Sequence, residues 1–506
     1  MLELYNSKEA AEWLQTKVTG LLHTDSRQVR TGDGFIAWPG ARTDGRQYVR
    51  QSIKQGARAC LVEKDEISVH ALECLDGNVA CYSGLKKATG LIAAEYYGHP
   101  SSAMDVIAVT GTNGKTSTVW WLAQALSALK TFPTKKCGMI GTLGVGQPLH
   151  ISIGEGESQT IVSNGLTTPD PVLLQQAFRN FVNAGFTACA IEASSIGIAE
   201  ERLSGTKITV AVFTNFTQDH LDYHSSMDAY WEAKLRLFSW PTLRAVVVNI
   251  DDKKGRDLLA TLKTDQLEIW TTSISEKARL RAHDIGYFES GLQFKVTENE
   301  KTFLLRTPMI GVYNVSNFLG VIASMRALGV GLASAVEACQ LLSPVPGRMD
   351  CVSGAGQPAV VVDYAHTPDA LKNALIALRL MANQHQGRLI CIFGCGGNRD
   401  NSKRPLMAAI AETYADAVVV TSDNSRNESQ ELIFSQIMGG FHDLAKVTLE
   451  SDRAIAISQS IQNAQPGDVI LIAGKGHENY QEIGEDRHFF SDKAHAMSAL
   501  SQRYAI

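Results

Sequence analysis

The stretch from Asp105 to Lys130, DVIAVTGTNGKTSTVWWLAQALSALK, constrains this chain more than any other. Val106 to Val109 form a short apolar run, the pattern of a buried strand. A glycine turn follows, then Lys115, Thr116 and Ser117. Val119, Leu122, Leu126 and Leu129 recur at spacings of three and four, which predicts a helix with one buried face. Strand, glycine loop, Lys-Thr pair and helix together make a phosphate cradle. Backbone N–H groups of the loop and the helix N-terminus face the anion, Lys115 adds charge, and the Thr116 hydroxyl is placed to hold Mg²⁺. The loop is a shortened P-loop: the glycine expected five residues before Gly114 is Val109.

A length of 506 residues leaves room for about three domains. A hydrophobic content of 44% and a charged content of 20% fit a soluble globular chain. The net charge of −5, with no long basic run, argues against a nucleic-acid binder. An anionic substrate must then be met by local basic groups, not by a global field. Nine cysteines are scattered, several in apolar runs such as those around Cys189 and Cys391, and no CxxC pair occurs. That usage fits reduced thiols in a cytoplasmic protein. The opening MLELYNSKEAAEWL carries acids and lacks the apolar run of a signal peptide, and no run approaches the ~20 residues of a membrane span.

The first hundred residues hold short apolar runs, Gly34–Trp38 and Ala57–Val62, around the loop PGARTDGRQY. From the residues alone, HTDSRQVRTGDG reads as a surface turn. Residues 101–345 alternate strand and helix: Phe186–Ile191, Thr209–Thr214 and Arg244–Ile250 are apolar runs. They end at Glu192, at Asn215 with Asp219 and His220, and at Asn249 and Asp251. Parallel sheets place ligands at the carboxyl ends of their strands, so these endings and the phosphate loop are expected to meet in one crevice. Residues 346–506 restart the alternation with VVVDYAH, LICIFGCGG, AVVVTSDNSR and DVILIAGKGHE. The residues alone therefore predict a short, loop-rich region at 1–100 followed by two α/β domains, a P-loop-type parallel-sheet ATPase domain at 101–345 and a Rossmann-like domain at 346–506. SPVPGRMD, 343–350, reads as the linker before the last.

Thr116, Glu192 and His220 are the candidate metal ligands: Mg²⁺ prefers oxygen donors beside phosphates, which suits Thr116 and Glu192, and His220 follows a strand end in a segment with Asp219, Asp222 and His224. Lys234 falls at helical spacing in AYWEAKLRLF and reads on its own as a solvated helix face. In the last domain Arg399, Lys403 and Arg404, the DNSR segment and GKGHE put both signs of charge at strand ends. Arginine forks bind carboxylates, and Asp423 or Glu478 suits an ammonium, so the pocket fits an amino acid or another zwitterion. These residues together predict an ATP- and Mg²⁺-dependent enzyme that activates an acid as its acyl phosphate and joins it to an amine.

Nine motifs in order carry a resemblance over essentially the whole chain: TGTNGKTST, IEASS, NFTQDHLDYH, GVYNVSN, VPGRMD, DYAHTPDAL, FGCGGNRDNSKRP, DNSR and GKGHENYQ. In these the chain resembles the Mur ligases of peptidoglycan synthesis, most closely the branch that adds the third residue of the peptide. The resemblance implies an α/β fold of three domains: a small N-terminal α/β domain, 1–100, for the UDP-sugar, the central domain, 101–345, for ATP, and the C-terminal domain, 346–506, for the incoming amino acid. It implies ATP contacts at Gly111, Thr112, Asn113, Gly114, Lys115, Thr116, Ser117, Asn314 and Arg348. It turns the surface-turn reading into a uridine-nucleotide segment, with Thr24, Ser26, Ala41, Arg42 and Thr43 as contacts. Thr167, Thr168, Ser194, Glu200 and Arg202 match positions that hold the muramyl-peptide; some relatives carry Gln where this chain has Glu200. Lys115, Glu192, His220 and Lys234 become the catalytic set, with Lys234 matching a lysine that is carbamylated to serve Mg²⁺. Arg399, Asp423, Asn424, Ser425, Arg426, Gly474 and Glu478 match a diaminopimelate pocket.

Diaminopimelate-adding members usually show DNPR, where this chain has DNSR. Arg426 is kept, and with Arg399 it is expected to clamp the distal carboxylate of meso-diaminopimelate, a group L-lysine lacks. The expected substrates are UDP-N-acetylmuramoyl-L-alanyl-D-glutamate, ATP and meso-diaminopimelate, handled by a cytoplasmic monomer. An L-lysine-adding ligase, a folylpolyglutamate synthetase and a nucleotide-binding regulatory protein with an inactive site are the alternatives.

Overall fold

The computed structural model describes residues 1–40, 43–65, 77–129, 136–148, 161–163, 165–262, 266–288, 291–354 and 356–504. Among them three main sheets form in chain order. The first is wholly parallel, in the order Leu2–Leu4, Val79–Tyr82, Ala59–Glu63, Gly34–Ala37, Leu22–His23. Asn6 caps the helix Ser7–Lys17 by accepting from Glu9 N, and that helix buries Ala10, Ala11 and Leu14. The helix Leu85–Tyr96 then leads toward the second sheet. A methyl group on Gly90 of this helix would fall 2.3 Å from Ser204 O, so only glycine lets the two backbones approach so closely.

The second sheet has a parallel centre in the order Glu268–Ser273, Ala245–Asn249, Val210–Phe213, Asp105–Thr110, Ala188–Glu192, Cys137–Gly141. Ile107 and Val109 face one apolar cluster while Val106 and Ala108 face another. Both faces are therefore covered, which is why the strands read as unbroken apolar runs. Each large side chain buried this way contributes about 1.5–3 kcal/mol. The helices Lys115–Ser127 and Tyr313–Ala327 cover one face, with Trp121 and Phe318 stacked at 4.6 Å. The first of these departs from the one-faced helix expected, because every residue from Thr116 to Leu126 is buried. Beyond Ser273 the sheet continues as a meander, Leu280–Phe288, Gly291–Glu298 and Lys301–Thr307, which the expected strand–helix alternation does not contain.

The third sheet runs Asp350–Cys351, Ala359–Asp363, Val469–Ala473, Leu389–Phe393, Ala417–Val420, Val447–Leu449, parallel except for its first strand. A fully buried Arg453–Asp492 pair at 2.7 Å ties two helices beneath it. The segment 343–350 is packed rather than loose: Trp121 Nε1 donates to Ser343 O, and a methyl group on Gly347 would sit 2.1 Å from His477 N. No helix among the described residues is long and apolar enough to cross a membrane.

Candidate active site

A cleft of about 580 Å³ opens at the carboxyl ends of the central strands and is closed on its far side by the third domain. The phosphate loop, Glu192, Asn215, Asp219, His220, Asn249 and Asp251 all line it, so the expected convergence of strand ends is present. Gly111 and Gly114 have φ of 150° and 85°, and a methyl group on Gly114 would meet Asn317 Oδ1 at 2.4 Å. The neighbouring strand end holds the loop open. Thr112 N donates to Asn215 O at 2.9 Å, Asn113 N to Asn215 Oδ1 at 2.8 Å, and Thr214 Oγ1 to Asn113 O at 2.6 Å.

Lys115 Nζ curls onto the loop itself, donating to Gly111 O at 2.9 Å and Thr112 O at 2.8 Å. Burial lowers its pKa, and Arg348 adds to that, although Glu192 and Asp219 pull the other way. Lys234 is not on a solvated face, as its spacing suggested: it is 1% exposed. Its Nζ donates to Gly111 O at 2.8 Å and lies 4.4 Å from the Tyr230 ring centre. Burial, reinforced by Lys115, drives its pKa far below the lysine range, so the neutral, nucleophilic amine is accessible to it.

Glu192 is the hub of the cleft. Its Oε2 accepts from Thr116 Oγ1 and Thr142 Oγ1, both at 3.1 Å, and its Oε1 accepts from Thr142 N at 2.8 Å. Arg348 Nη2 donates to Thr116 Oγ1 at 3.1 Å, while its buried Nε has no partner among the described residues. An orphaned guanidinium N–H beside a phosphate loop fits an incoming anion. The Thr116 hydroxyl and Glu192 carboxylate are hard oxygen donors of the kind Mg²⁺ takes. Among the described residues no three His, Cys, Asp or Glu side chains gather as a metal cluster, so the nucleotide's own oxygens would have to complete such a site.

His220 adopts φ 55° and lies 3.5 Å from Asp219, whose carboxylate is also 3.9 Å from His366 of the third domain. Burial takes both imidazoles down to about 4. Burial works against the Asp219 carboxylate, but His220, His366 and Lys403 outweigh it and hold its pKa low. Asn314, held by its Nδ2 on Ile310 O at 2.8 Å and by Asn317 Nδ2 at 2.9 Å, lines the same cleft.

A polar seam leads from the cleft toward the first domain. Thr167 Oγ1 meets Thr142 Oγ1 at 3.1 Å, and Thr168 Oγ1 donates to Glu192 O at 2.7 Å and meets Ser194 Oγ at 2.9 Å. Arg202 Nη1 donates to Thr168 O at 2.8 Å. Asp170 caps the next helix through Val172 N and Leu173 N and also takes a side-chain hydrogen bond from Thr24. Glu200 is spent on Lys86 and on the Tyr223 hydroxyl, both at 2.5 Å. Ser26 is buried in a turn capped by Asp25, whereas Thr43 is exposed; Ala41 and Arg42 lie outside the described residues.

The remaining expected residues form a separate cluster at the strand ends of the third sheet. Asn424 Nδ2 donates to Glu478 Oε2 at 2.9 Å, and Lys475 Nζ donates to Asn424 Oδ1 at 3.0 Å and Glu478 Oε2 at 3.1 Å. Burial opposes the Asp423 charge, but Lys475 and Arg453 keep its pKa low. Gly474, at φ 117°, leaves the room that a methyl group 2.7 Å from Asp423 Oδ2 would remove. Ser425 is buried beside them, and Arg426 Nε donates to Glu482 Oε2 at 2.9 Å. Arg399 Nη1 reaches back to Asp222 Oδ2 of the central domain at 3.3 Å.

Lys475, Thr142, Asn317 and His366 are absent from the expected site set. His366 ends the run VVVDYAH and Asn317 lies one turn beyond Asn314, so both carried a local signal. Thr142 follows the short strand Cys137–Gly141, which no long apolar run announces.

Comparison with known proteins agrees in all three domains. Models of the Mur ligase family match residues 19–83 (catalytic domain), 109–325 (middle domain) and 347–476 (glutamate ligase domain). A UDP-N-acetylmuramoyl-L-alanyl-D-glutamate–2,6-diaminopimelate ligase of Acidovorax sp. (strain JS42) is 55% identical over 502 residues, covering 99% of this chain and 98% of its own. A ligase of the same description from Janthinobacterium sp. (strain Marseille) is 45% identical, covering 95% and 94%. A solved structure of a ligase of this description superposes with a TM-score of 0.63 at 33% identity, covering 96% of this chain and 95% of that one.

Proposed function

The chain belongs to the Mur ligase family, and on that premise we propose that it adds meso-diaminopimelate to UDP-N-acetylmuramoyl-L-alanyl-D-glutamate at the expense of ATP. The observation that carries the reading is the meeting of the phosphate loop, Glu192 and Arg348 in one cleft, with a pocket of paired charges across it. Residues 1–100 hold the UDP-sugar through Thr24, Ser26 and the 41–43 loop. Residues 101–345 hold ATP, and 346–506 hold the amino acid.

The loop N–H groups and Lys115 bind the γ-phosphate, and Arg348, bridging from the third domain to Thr116, stabilises the charge that develops on it. Thr167, Thr168, Ser194 and Arg202 present the terminal D-glutamyl carboxylate to that phosphorus. The carboxylate attacks, ADP leaves, and an acyl phosphate remains. The amine of diaminopimelate then attacks the acyl carbon, phosphate departs, and an amide results. Asp423 and Glu478 orient the amino-acid end, while Arg399 and Arg426 take up its distal carboxylate. Mg²⁺ held by Thr116, Glu192, His220 and carbamylated Lys234 would supply positive charge to the transferring phosphate. Lys234, desolvated and poised as a neutral amine, is suited to react with CO₂.

Phosphate release measured with ATP, the UDP-muramyl-dipeptide and each candidate amino acid tests this. Release with meso-diaminopimelate, and its loss on chelation of Mg²⁺, is the expected result. Release with L-lysine but not with diaminopimelate would overturn the substrate assignment.

A further inference from the structure

The hairpin Tyr480–Ile483 and Asp486–Phe489 plays no part in the chemistry above, yet it is stitched to the segment 422–426 almost residue by residue. Gln481 Nε2 donates to Ser422 Oγ at 3.0 Å and to Asp423 O at 3.2 Å. Glu482 N donates to Asn424 Oδ1 at 3.0 Å. Arg426 N donates to Glu482 O at 3.1 Å, and Gly484 N donates to Arg426 O at 2.8 Å. These last two bonds hold Arg426 at φ 50°, a left-handed conformation that side chains other than Gly, Asn and Asp rarely take. The guanidinium is fixed through two different nitrogens, Nε on Glu482 Oε2 at 2.9 Å and Nη1 on Gly397 O at 2.9 Å. Two such contacts set the plane of the fork.

Position 425, where a proline would restrict φ, is a serine here. We propose that Glu482 is a positioning residue that sets amino-acid specificity: it aims the Arg426 fork at the distal carboxylate of diaminopimelate, supplying from the hairpin the rigidity that position 425 lacks. This rests on the ligase reading. Glu482 keeps its charge in that place because Arg487 and Arg426 outweigh the burial that opposes it. Arg487, 2.7 Å from Glu482 and 62% exposed, shares the carboxylate without approaching the 422–426 segment in any bond described. A bidentate carboxylate contact depends on the angle of the fork, so an arginine free to swing loses affinity for diaminopimelate and none for lysine.

Steady-state kinetics of the full-length chain with Glu482→Ala, Glu482→Gln and Arg487→Ala, varying each of the three substrates in turn, test the proposal. Glu482→Ala is expected to raise the KM for diaminopimelate about tenfold or more, with kcat and the other two KM values within about twofold. Glu482→Gln keeps an acceptor for Nε and should fall between Glu482→Ala and the parent. Arg487→Ala should stay within about twofold of the parent, as for an exposed pair. The preference for diaminopimelate over L-lysine should narrow in Glu482→Ala. An unchanged or lowered diaminopimelate KM in Glu482→Ala would overturn the proposal, showing that Glu482 only competes for Arg426. A parallel rise in all three KM values would also overturn it, showing that the hairpin is merely structural. Parent enzyme inactive with diaminopimelate would instead overturn the ligase reading itself.

Discussion

The two charged regions of the molecule hold their cations in opposite ways. In the central cleft Lys115 rests on backbone carbonyls, those of Gly111 and Thr112. In the third domain Arg426 faces Glu482, Lys475 faces Glu478 and Arg399 faces Asp222. A carbonyl dipole satisfies an ammonium's hydrogen bonds without cancelling its charge, so the cleft stays attractive to a polyphosphate. Ion pairs cancel charge and fix geometry, so the second region selects by where its partners point. The first region is built to receive charge that moves during the reaction; the second is built to recognise a fixed pattern.

The contrast is broken most forcefully at Lys115. Lys115→Ala is expected to lower kcat on the order of 10³-fold, because it removes a desolvated charge aimed at the transferring phosphate. Thermal stability should hold or improve, since a half-buried cation without a carboxylate partner is also removed. Phosphate release and a melting curve on the same preparation check both halves. Activity within tenfold of the parent would mean that Lys115 does not drive the transfer.

Arg426 gives the next largest effect and the opposite signature. Arg426→Lys keeps the charge but loses the fork, and should raise the KM for diaminopimelate about 10- to 100-fold with the KM for ATP unchanged. A fall in kcat as large as that of Lys115→Ala would erase the distinction between the regions.

A third test uses pH. Burial, with Arg348 and Lys475 beside it, takes His477 down to about 3 from an unfolded value of 6.5. Between those values the unfolded chain binds a proton that the folded chain does not, so this histidine's contribution to stability is lost as pH falls below 6.5. Other buried groups titrate in the same range, and a substitution isolates the one. The stability difference between the parent and His477→Asn should shift against the parent by about 1.4 kcal/mol per pH unit at most as pH drops below 6.5. Denaturant melts at a series of pH values measure it, and a difference independent of pH would show that His477 is protonated in the folded chain.

The two regions also differed in how far they could be read from the chain. The phosphate loop, Glu192 and Asn215 stand at the ends of continuous apolar runs, because parallel strands covered on both faces have no polar alternation to hide them. The meander Leu280–Thr307 carries that alternation, Arg281, His283 and Asp284 among its apolar residues, and did not read as sheet. Lys234 looked solvated because helical spacing says which face a residue shares, not what lies against that face. The carbonyl it donates to, Gly111 O, is far away in the chain. Glu482 carried no signal for the same reason: its significance lies in Arg426, which reaches it only once the hairpin has folded back.

The smallest effect is expected where the two regions touch. Arg399 is 53% exposed and Asp222 23%, with 3.3 Å between them. An exposed pair of this kind contributes about 0–1 kcal/mol, so Asp222→Asn should move the melting temperature by less than about 2 °C. Its kinetic consequence has a defined sign. On the proposed reading of Arg399, Asp222 competes with the substrate carboxylate for it, so its removal should lower the KM for diaminopimelate, by less than about threefold. Salt near 1 M, where the screening length is about 3 Å, should abolish the difference between parent and variant. A raised KM would mean that Asp222 holds Arg399 in place as Glu482 holds Arg426. The amino-acid pocket would then be assembled by the contact between two domains, and its selectivity would depend on how they are docked.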